Sequence, residues 1–414
     1  MFCRGGPFAG PPFFSMSPSG HPKRGEPLRI LQLFNRYLNP GGEEKSVARI
    51  AEDLASAGHK VTRYWRESAE WKGPHAPPKW RQPLLLWRNP AVLEDIRLLQ
   101  TTTGADLWLI HNVLPVISLD VYRLAKELRV PVIQWLHNYR PMSPGGTLCA
   151  AGLRLDPEDP WVPWKEACVG TWHGRLLTSW LALGYWRIQR RGDFDAVRAW
   201  VAVSEAMKAI FSRAGWYPER LHAARHSWHV QSSAPSDQDD GHFVFLGRMV
   251  ETKGVRFLAD LWRHPSLRQI PLVMAGQGPL AGELRSITPP NVQWVGHVDG
   301  EEKHRLLARC RAVLFPCLWD EPLSTVAYEA YELGKPILAS NLGGMREIIV
   351  HGSTGLLLKA ADPASWLNAV TGLDAESARR MGRAGRAWLE ENVSPSAWNE
   401  QFNRIVSLAL GWAL

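Results

Sequence analysis

The chain is short of cysteine, has no long apolar run and carries no excess of acid. Its 414 residues hold five cysteines, at Cys3, Cys149, Cys168, Cys310 and Cys317. The odd number and irregular spacing argue against a disulfide framework or a zinc cluster, and for a reducing compartment. Nothing approaches the ~18 apolar residues of a membrane span, so no transmembrane helix is expected. Zinc-finger spacing, an aromatic RNA-binding signature and a basic heptad helix are all missing, which sets nucleic acid aside as a partner. So are the G-x-S-x-G elbow of serine hydrolases and the GK[ST] of P-loop proteins. Carboxylates and histidines nowhere stand at metal-ligand spacing, so no metal site is expected.

What is present is an ordinary globular composition, 45% hydrophobic and 21% charged, with a formal charge of +8. The basic balance points to an anionic partner, whether nucleic acid, anionic lipid or a phosphorylated ligand. Residues 1–27, rich in Pro, Gly and Ser, are expected to form a disordered tail and not a secretory signal. Beyond them, short apolar runs alternate with amphipathic stretches. "LRILQLF" (28–34) reads as a buried strand, and Val47, Ile50, Ala51 and Leu54 fall at helical spacing in a stretch that stops at Gly58. "ADLWLIHNV", "PVIQWLHNYR" and the start of "AWVAVSEAMK" read as further strands. After residue 241 the pattern restarts with "HFVFLGRM", "IPLVMAGQG", "VQWVGHV", "RAVLFPC", "KPILASN" and "TGLLLK". Such alternation implies right-handed crossovers and parallel sheets. The expected fold is α/β, with two doubly wound Rossmann-like domains at 28–229 and 242–394, joined by the polar linker 230–241 and facing across a cleft. Ligands collect beyond the carboxyl ends of strands in such sheets.

The densest chemistry lies in "LWDEPLSTVAYEAYELGKP" (318–336). Ser324 is the expected N-cap of a helix, Gly334 suits the left-handed position past its end, and Pro336 cannot continue it. On a helical wheel the apolar arc runs through Leu333, Val326, Ala330 and Ala327. Glu329 falls at the edge of that arc and Glu332 further out towards solvent. Glu329 therefore suits a hydroxyl-rich ligand, while Glu321 lies near a helix N-terminus that suits a phosphate or developing negative charge. A capping acid and a solvent-facing Glu fit the same pattern. In "FLGRMVETKG" (245–254), Arg248 and Lys253 are placed to clamp a diphosphate, though two surface cations fit as well. Gly41 and Gly42 precede a helix, allowing close approach to a phosphate or only a tight turn. His111 and His137 end strands; each alone is more simply a buried structural histidine.

Taken in order, the Gly-Gly loop, the HN strand end, "AVSEAMK", "LGRMVETKG", "AGQGPL", "DEPLSTVAYEAYELGKPILASNLGGMREII" and "GSTGLLL" resemble the retaining, nucleotide-sugar-dependent glycosyltransferases of family four. The resemblance spans roughly residues 28 to 400 and is densest in the second half. It implies the two-domain GT-B fold, acceptor on the first half, donor on the second, and a final helix (395–414) packing back on the first domain. It further implies that Glu329 binds the nucleotide ribose and Glu321 the reacting face of the transferred sugar. Arg248 and Lys253 would hold the diphosphate with the backbone of Leu323, Ser324 and Thr325. His137 would sit beside the sugar, and Gly41 with Gly42 near the phosphates. No metal or other cofactor is implied; the donor is a UDP- or GDP-sugar and the acceptor a glycan or lipid-linked hydroxyl. The stretch 105–140 is also similar to a bacterial branch associated with surface polysaccharide assembly.

Three departures stand out. Ser324 replaces a usual Gly, "ARHSWHV" replaces an Asn-bearing turn, and "PMSP" follows HNYR where the branch often has Cys. The Trp-rich, basic-ended segment 160–192 is expected either to dock on an anionic membrane or to lie as a core lid over the cleft. The expected location is cytoplasmic, peripheral at the inner face of the plasma membrane. Two rival readings remain: a non-catalytic sugar-nucleotide-binding subunit or sensor, and an epimerase or hydrolase of the same fold.

Overall fold

The structure, a computed structural model, describes residues 25–38, 41–231 and 234–412. Nearly all of the expected tail lies outside them. The chain forms two compact units. The first takes the described residues up to Val203, then Met207–Ala224, and the chain from Trp398 on; the second takes Ser204–Ala206 and Arg225–Ala397.

The first unit is built on strands β1 (Arg29–Arg36), β2 (Lys60–Glu67), β3 (Leu107–Ile110) and β4 (Val132–Leu136). A small antiparallel ribbon, β5 (Cys149–Ala150) with β6 (Leu153–Arg154), precedes β7 (Val197–Ala202) and β8 (Leu221–Ala223). The main sheet is wholly parallel, in the order β2-β1-β3-β4-β7-β8. Leu31, Leu33, Phe34, Trp108 and Trp200 are completely buried, as both faces of a parallel sheet require. Helices Val162–Val169 and Arg175–Arg190 fill the segment expected at 160–192. Their inner faces are core. Glu166 is fully buried and accepts from Ser143 Oγ at 2.5 Å and Gly145 N at 2.7 Å. The Trp180 ring stacks on Trp87 at 4.0 Å, and its Nε1 donates to the Pro83 carbonyl. The helix Pro395–Leu410 contributes Trp398, 5.6 Å from Trp135, and Gln401, which donates to the Ala223 carbonyl.

The second unit carries β9 (Phe243–Leu246), β10 (Leu272–Ala275), β11 (Val292–Gly296), β12 (Ala312–Phe315), β13 (Ile337–Ser340) and β14 (Gly355–Leu358). Its sheet is also wholly parallel, ordered β11-β10-β9-β12-β13-β14. The core gathers Phe243, Met274, Leu314 and Leu338 against Trp262 and Trp366.

The linker expected at 230–241 is not where the units part. Its acids hold it to the second unit: Asp239 pairs with Arg311 at 3.0 Å, Asp240 with Arg309 at 2.7 Å and Asp237 with Arg383 at 2.9 Å. Ser236 adds a hydrogen bond to the Ala308 carbonyl. Polarity without periodicity marked a segment lacking helix or strand, and its aspartates found Arg309 and Arg383 on helices and Arg311 just before β12.

Candidate active site

In the second unit the loops leaving β9, β10, β12 and β13 meet at the carboxyl edge of the sheet, and glycines let them touch. A Cβ on Gly343, whose φ is +55°, would stand 2.2 Å from the Glu321 carbonyl oxygen. One on Gly254, at φ +71°, would stand 1.9 Å from that of Pro316. Both positions therefore require glycine. The 343–344 turn is tied to the β12 loop by Gly344 N donating to the Glu321 carbonyl at 2.8 Å.

This packing buries Glu321 (9% exposed) and places Lys253 against it. Lys253 Nζ lies 2.7 Å from Oε1 and 2.6 Å from Oε2. Burial opposes the Lys253 charge, but the Glu321 carboxylate outweighs it and raises the lysine above its ordinary pKa. Cys317 Sγ approaches Glu321 Oε2 at 3.9 Å, and burial pushes its thiol up to about 12, so it is a neutral neighbour. Arg248 is exposed, and its charge bears on Lys253 from the same loop.

The helix Thr325–Glu332 follows, with Leu323 buried and Thr325 half-buried. Ser324 occupies the N-cap with extended backbone, but its side chain makes no capping hydrogen bond. Its capping role is thus through backbone alone. Glu329 is half-buried and pairs with Lys303 at 2.7 Å, while its Oε2 has no partner among the described residues. Glu332 corrects the helical-wheel reading. It is 9% exposed, accepting from Trp228 Nε1 at 2.8 Å and from the Gln231 backbone at 2.6 Å. Residues 228–231 cover the face that the sequence assigned to solvent. Glu332 is a structural acid.

The remaining expected residues lie in the first unit. His111 Nδ1 and His137 Nε2 are 2.9 Å apart, and His111 Nε2 is 3.2 Å from Gln32 Nε2. Both rings line a cavity of about 30 Å³ at the ends of β3 and β4. Gly41 and Gly42 are exposed at the start of the helix Gly42–Ser56. There Glu44 accepts from Gly41 N at 2.8 Å and Tyr37 N at 3.1 Å, an acid in the first turn satisfying backbone donors. Sequence reasoning missed Lys303 and Glu43, a further residue of the cavity. Lys303 lies 26 positions before its partner, so no local pattern announces it; Glu43 is hidden beside Glu44 in what reads as a charged helix start.

Among the described residues, no group of three or more His, Cys, Asp and Glu side chains is arranged to hold a metal ion. Nor is any described helix long and apolar enough to cross a membrane.

Two wholly parallel Rossmann-like sheets, the second edged by buried acid–cation pairs, define an α/β protein of the GT-B class. Solved structures agree: that of Anabaena Alr3699/HepE in complex with UDP matches with a TM-score of 0.63 at 18% identity, covering 92% of this chain and 100% of that one. Residues 40–225 match the family model described as Glycosyltransferase Family 4, and residues 240–375 the one described as Glycosyl transferases group 1. The chain belongs to the family-four glycosyltransferases. Among curated relatives, D-rhamnosyltransferase WbpZ of Pseudomonas aeruginosa is 34% identical over 153 residues, 35% of this chain and 39% of that protein. A glycogen synthase of Mycobacterium tuberculosis is 33% identical over 155 residues, 34% of this chain and 36% of that one. The chain thus aligns with little over a third of either relative's length.

Proposed function

We propose that the protein moves a sugar from a nucleotide diphosphate sugar to a hydroxyl of a glycan or lipid-linked acceptor, retaining anomeric configuration and using no metal. The observation that carries this reading is the Lys253–Glu321 pair, held at the sheet's carboxyl edge and followed by the start of a helix. In this reading Lys253 and Arg248 receive the diphosphate, with backbone donors of Leu323, Ser324 and Thr325. Leaving-group charge is then met by fixed cations and N–H groups that need no reorganisation. Glu321 is freed towards the transferred sugar, and Glu329 offers Oε2 to ribose hydroxyls.

HepE was solved with UDP and WbpZ is named a D-rhamnosyltransferase, which favours a nucleotide-sugar donor; the role in surface polysaccharide synthesis rests on the resemblance of residues 105–140 alone. The deciding experiment follows radiolabel from UDP- and GDP-sugars with and without EDTA, after a thermal-shift screen for the donor that stabilises the chain. Label on a second molecule, unaffected by EDTA, supports the proposal. Label released only as free sugar, or kept on an isomerised nucleotide sugar, supports the hydrolase or epimerase reading instead. A donor-bound chain that turns nothing over supports the sensor.

The acceptor side favours a lipid surface. Leu176 is 88% exposed on the helix Arg175–Arg190, which also brings Trp186 and Arg190 to the surface. No Asp or Glu occurs from residue 167 to 192, nor from 71 to 93, the stretch whose Trp87 stacks on this helix. Asp120 pairs with Arg88, Arg187 and Arg191, but Arg175 and Arg190 stay exposed beside the apolar side chains, which suits a negatively charged membrane at its cytoplasmic face.

A further inference from the structure

The assignments above leave Glu43 without a role. It lines the cavity of the first unit together with His111, His137, Arg140 and Tyr185. Its Oε1 is buried and has no hydrogen-bond partner among the described residues. Burial pushes the carboxyl up to about 7, against the Tyr37 hydroxyl, the Arg140 guanidinium and the Asn138 amide, which favour its charged form; neighbouring Glu44 opposes that form. Tyr122 and Tyr185, on the helices Val121–Leu128 and Arg175–Arg190, complete the titratable surround. A buried acceptor atom left open is costly unless something fills it. Arg140 can only donate, an ionised Glu43 can only accept, and a hydroxyl does both. A fully ionised carboxylate or phosphate diester has no proton for Glu43 and is repelled by it. The chemistry selects a neutral hydroxyl, and the cavity's size admits one such group.

We infer that this cavity seats a hydroxyl of the acceptor sugar and that Glu43 is the positioning residue that receives its hydrogen bond. This rests on the transferase reading and specifies its acceptor side. Ionised Glu43 accepts the hydroxyl, so acceptor affinity falls as pH drops through the carboxyl's titration. His111 and His137 also line the cavity and remain in Glu43→Gln, which separates their contribution.

The test is saturation-transfer NMR on the full chain with methyl α-glucoside, methyl α-mannoside and methyl α-galactoside, between about pH 5.5 and 8.5. Saturable binding of at least one glycoside is expected, weakening about tenfold towards acid pH. Glu43→Gln should bind about tenfold more weakly at the alkaline end and lose the inflection. Glu43→Asp, which keeps the carboxylate, should keep the inflection at reduced affinity, and it decides the matter should the Gln variant not fold. Absence of saturable binding, or a Gln variant with wild-type affinity and profile, overturns the inference. Label transfer measured on the same wild-type sample separates the two readings. Transfer without glycoside binding sinks this inference alone, whereas no transfer from any nucleotide sugar sinks the reading it rests on.

Discussion

Lys253 Nζ stands 2.7 and 2.6 Å from the two oxygens of Glu321, a bidentate contact whose members are only 17% and 12% exposed in their side chains. A pair this buried is costly to break from one side, because the partner left behind is an uncompensated charge. Lys253→Met is expected to lose about 3–5 kcal/mol of unfolding free energy. Adding Glu321→Gln should restore most of it. Urea denaturation of the two single variants and the double variant checks this. Since Lys253 titrates above its ordinary 10.5, the pair's contribution is complete below that value and is lost as pH rises through the raised one.

The same carboxylate separates enzyme from sensor. Glu321→Gln keeps its size and removes its charge, so turnover should fall about 10²–10³-fold. The thermal shift given by the stabilising nucleotide sugar should persist. Unchanged label transfer by this variant would remove Glu321 from the reaction.

Gly343→Ala tests whether the turn positions Glu321. The added methyl meets the Glu321 carbonyl at 2.2 Å on a left-handed backbone. The cost is expected at about 1–3 kcal/mol, with turnover lowered about tenfold or more. A variant with wild-type melting temperature and turnover would show that the loop yields without displacing Glu321.

What was legible in the sequence follows from how each feature is encoded. The strands were readable because wholly parallel sheets bury both faces, so "FVFL", "LVMA" and "AVLF" are continuous apolar runs. Glu321 and Lys253 were singled out by local turn and helix signals, but their contact across 68 positions was not visible. Glu332 was misplaced because a wheel knows the helix and not residues 228–231 that cover it. Glu43 went unnoticed for a similar reason: its cavity is assembled from strand ends far apart in the chain.

Glu43 also makes a stability prediction that needs no ligand. A rise from the ordinary 4.5 to about 7 means that folding disfavours its charge. The folded state therefore gains nothing from it at alkaline pH, and stability relative to a neutral isostere is lost as pH climbs from 4.5 through about 7. Glu43→Gln should be more stable than wild type at pH 8 by up to about 3 kcal/mol, the gap closing near pH 4. Equal stability at both ends would mean that Glu43 is solvated in the folded chain.

The surface of the helix Arg175–Arg190 makes the last prediction. Leu176 is outward on a helix whose inner face is fixed by Tyr185, Leu181 and Ile188, while Trp186 is 36% exposed with the Arg190 guanidinium over its ring. Wild type should float with phosphatidylglycerol vesicles at low salt and not with phosphatidylcholine vesicles. Since surface cations supply about 1 kcal/mol each near an anionic leaflet, binding should weaken steeply as salt shortens their reach. Leu176→Ser with Trp186→Ser should bind at least tenfold more weakly while retaining its donor-induced thermal shift, because the insertion of both side chains is what outlasts screening. Flotation that is absent for wild type, or indifferent to salt and to both substitutions, removes the membrane from the account and leaves the segment as a lid of the first unit's core.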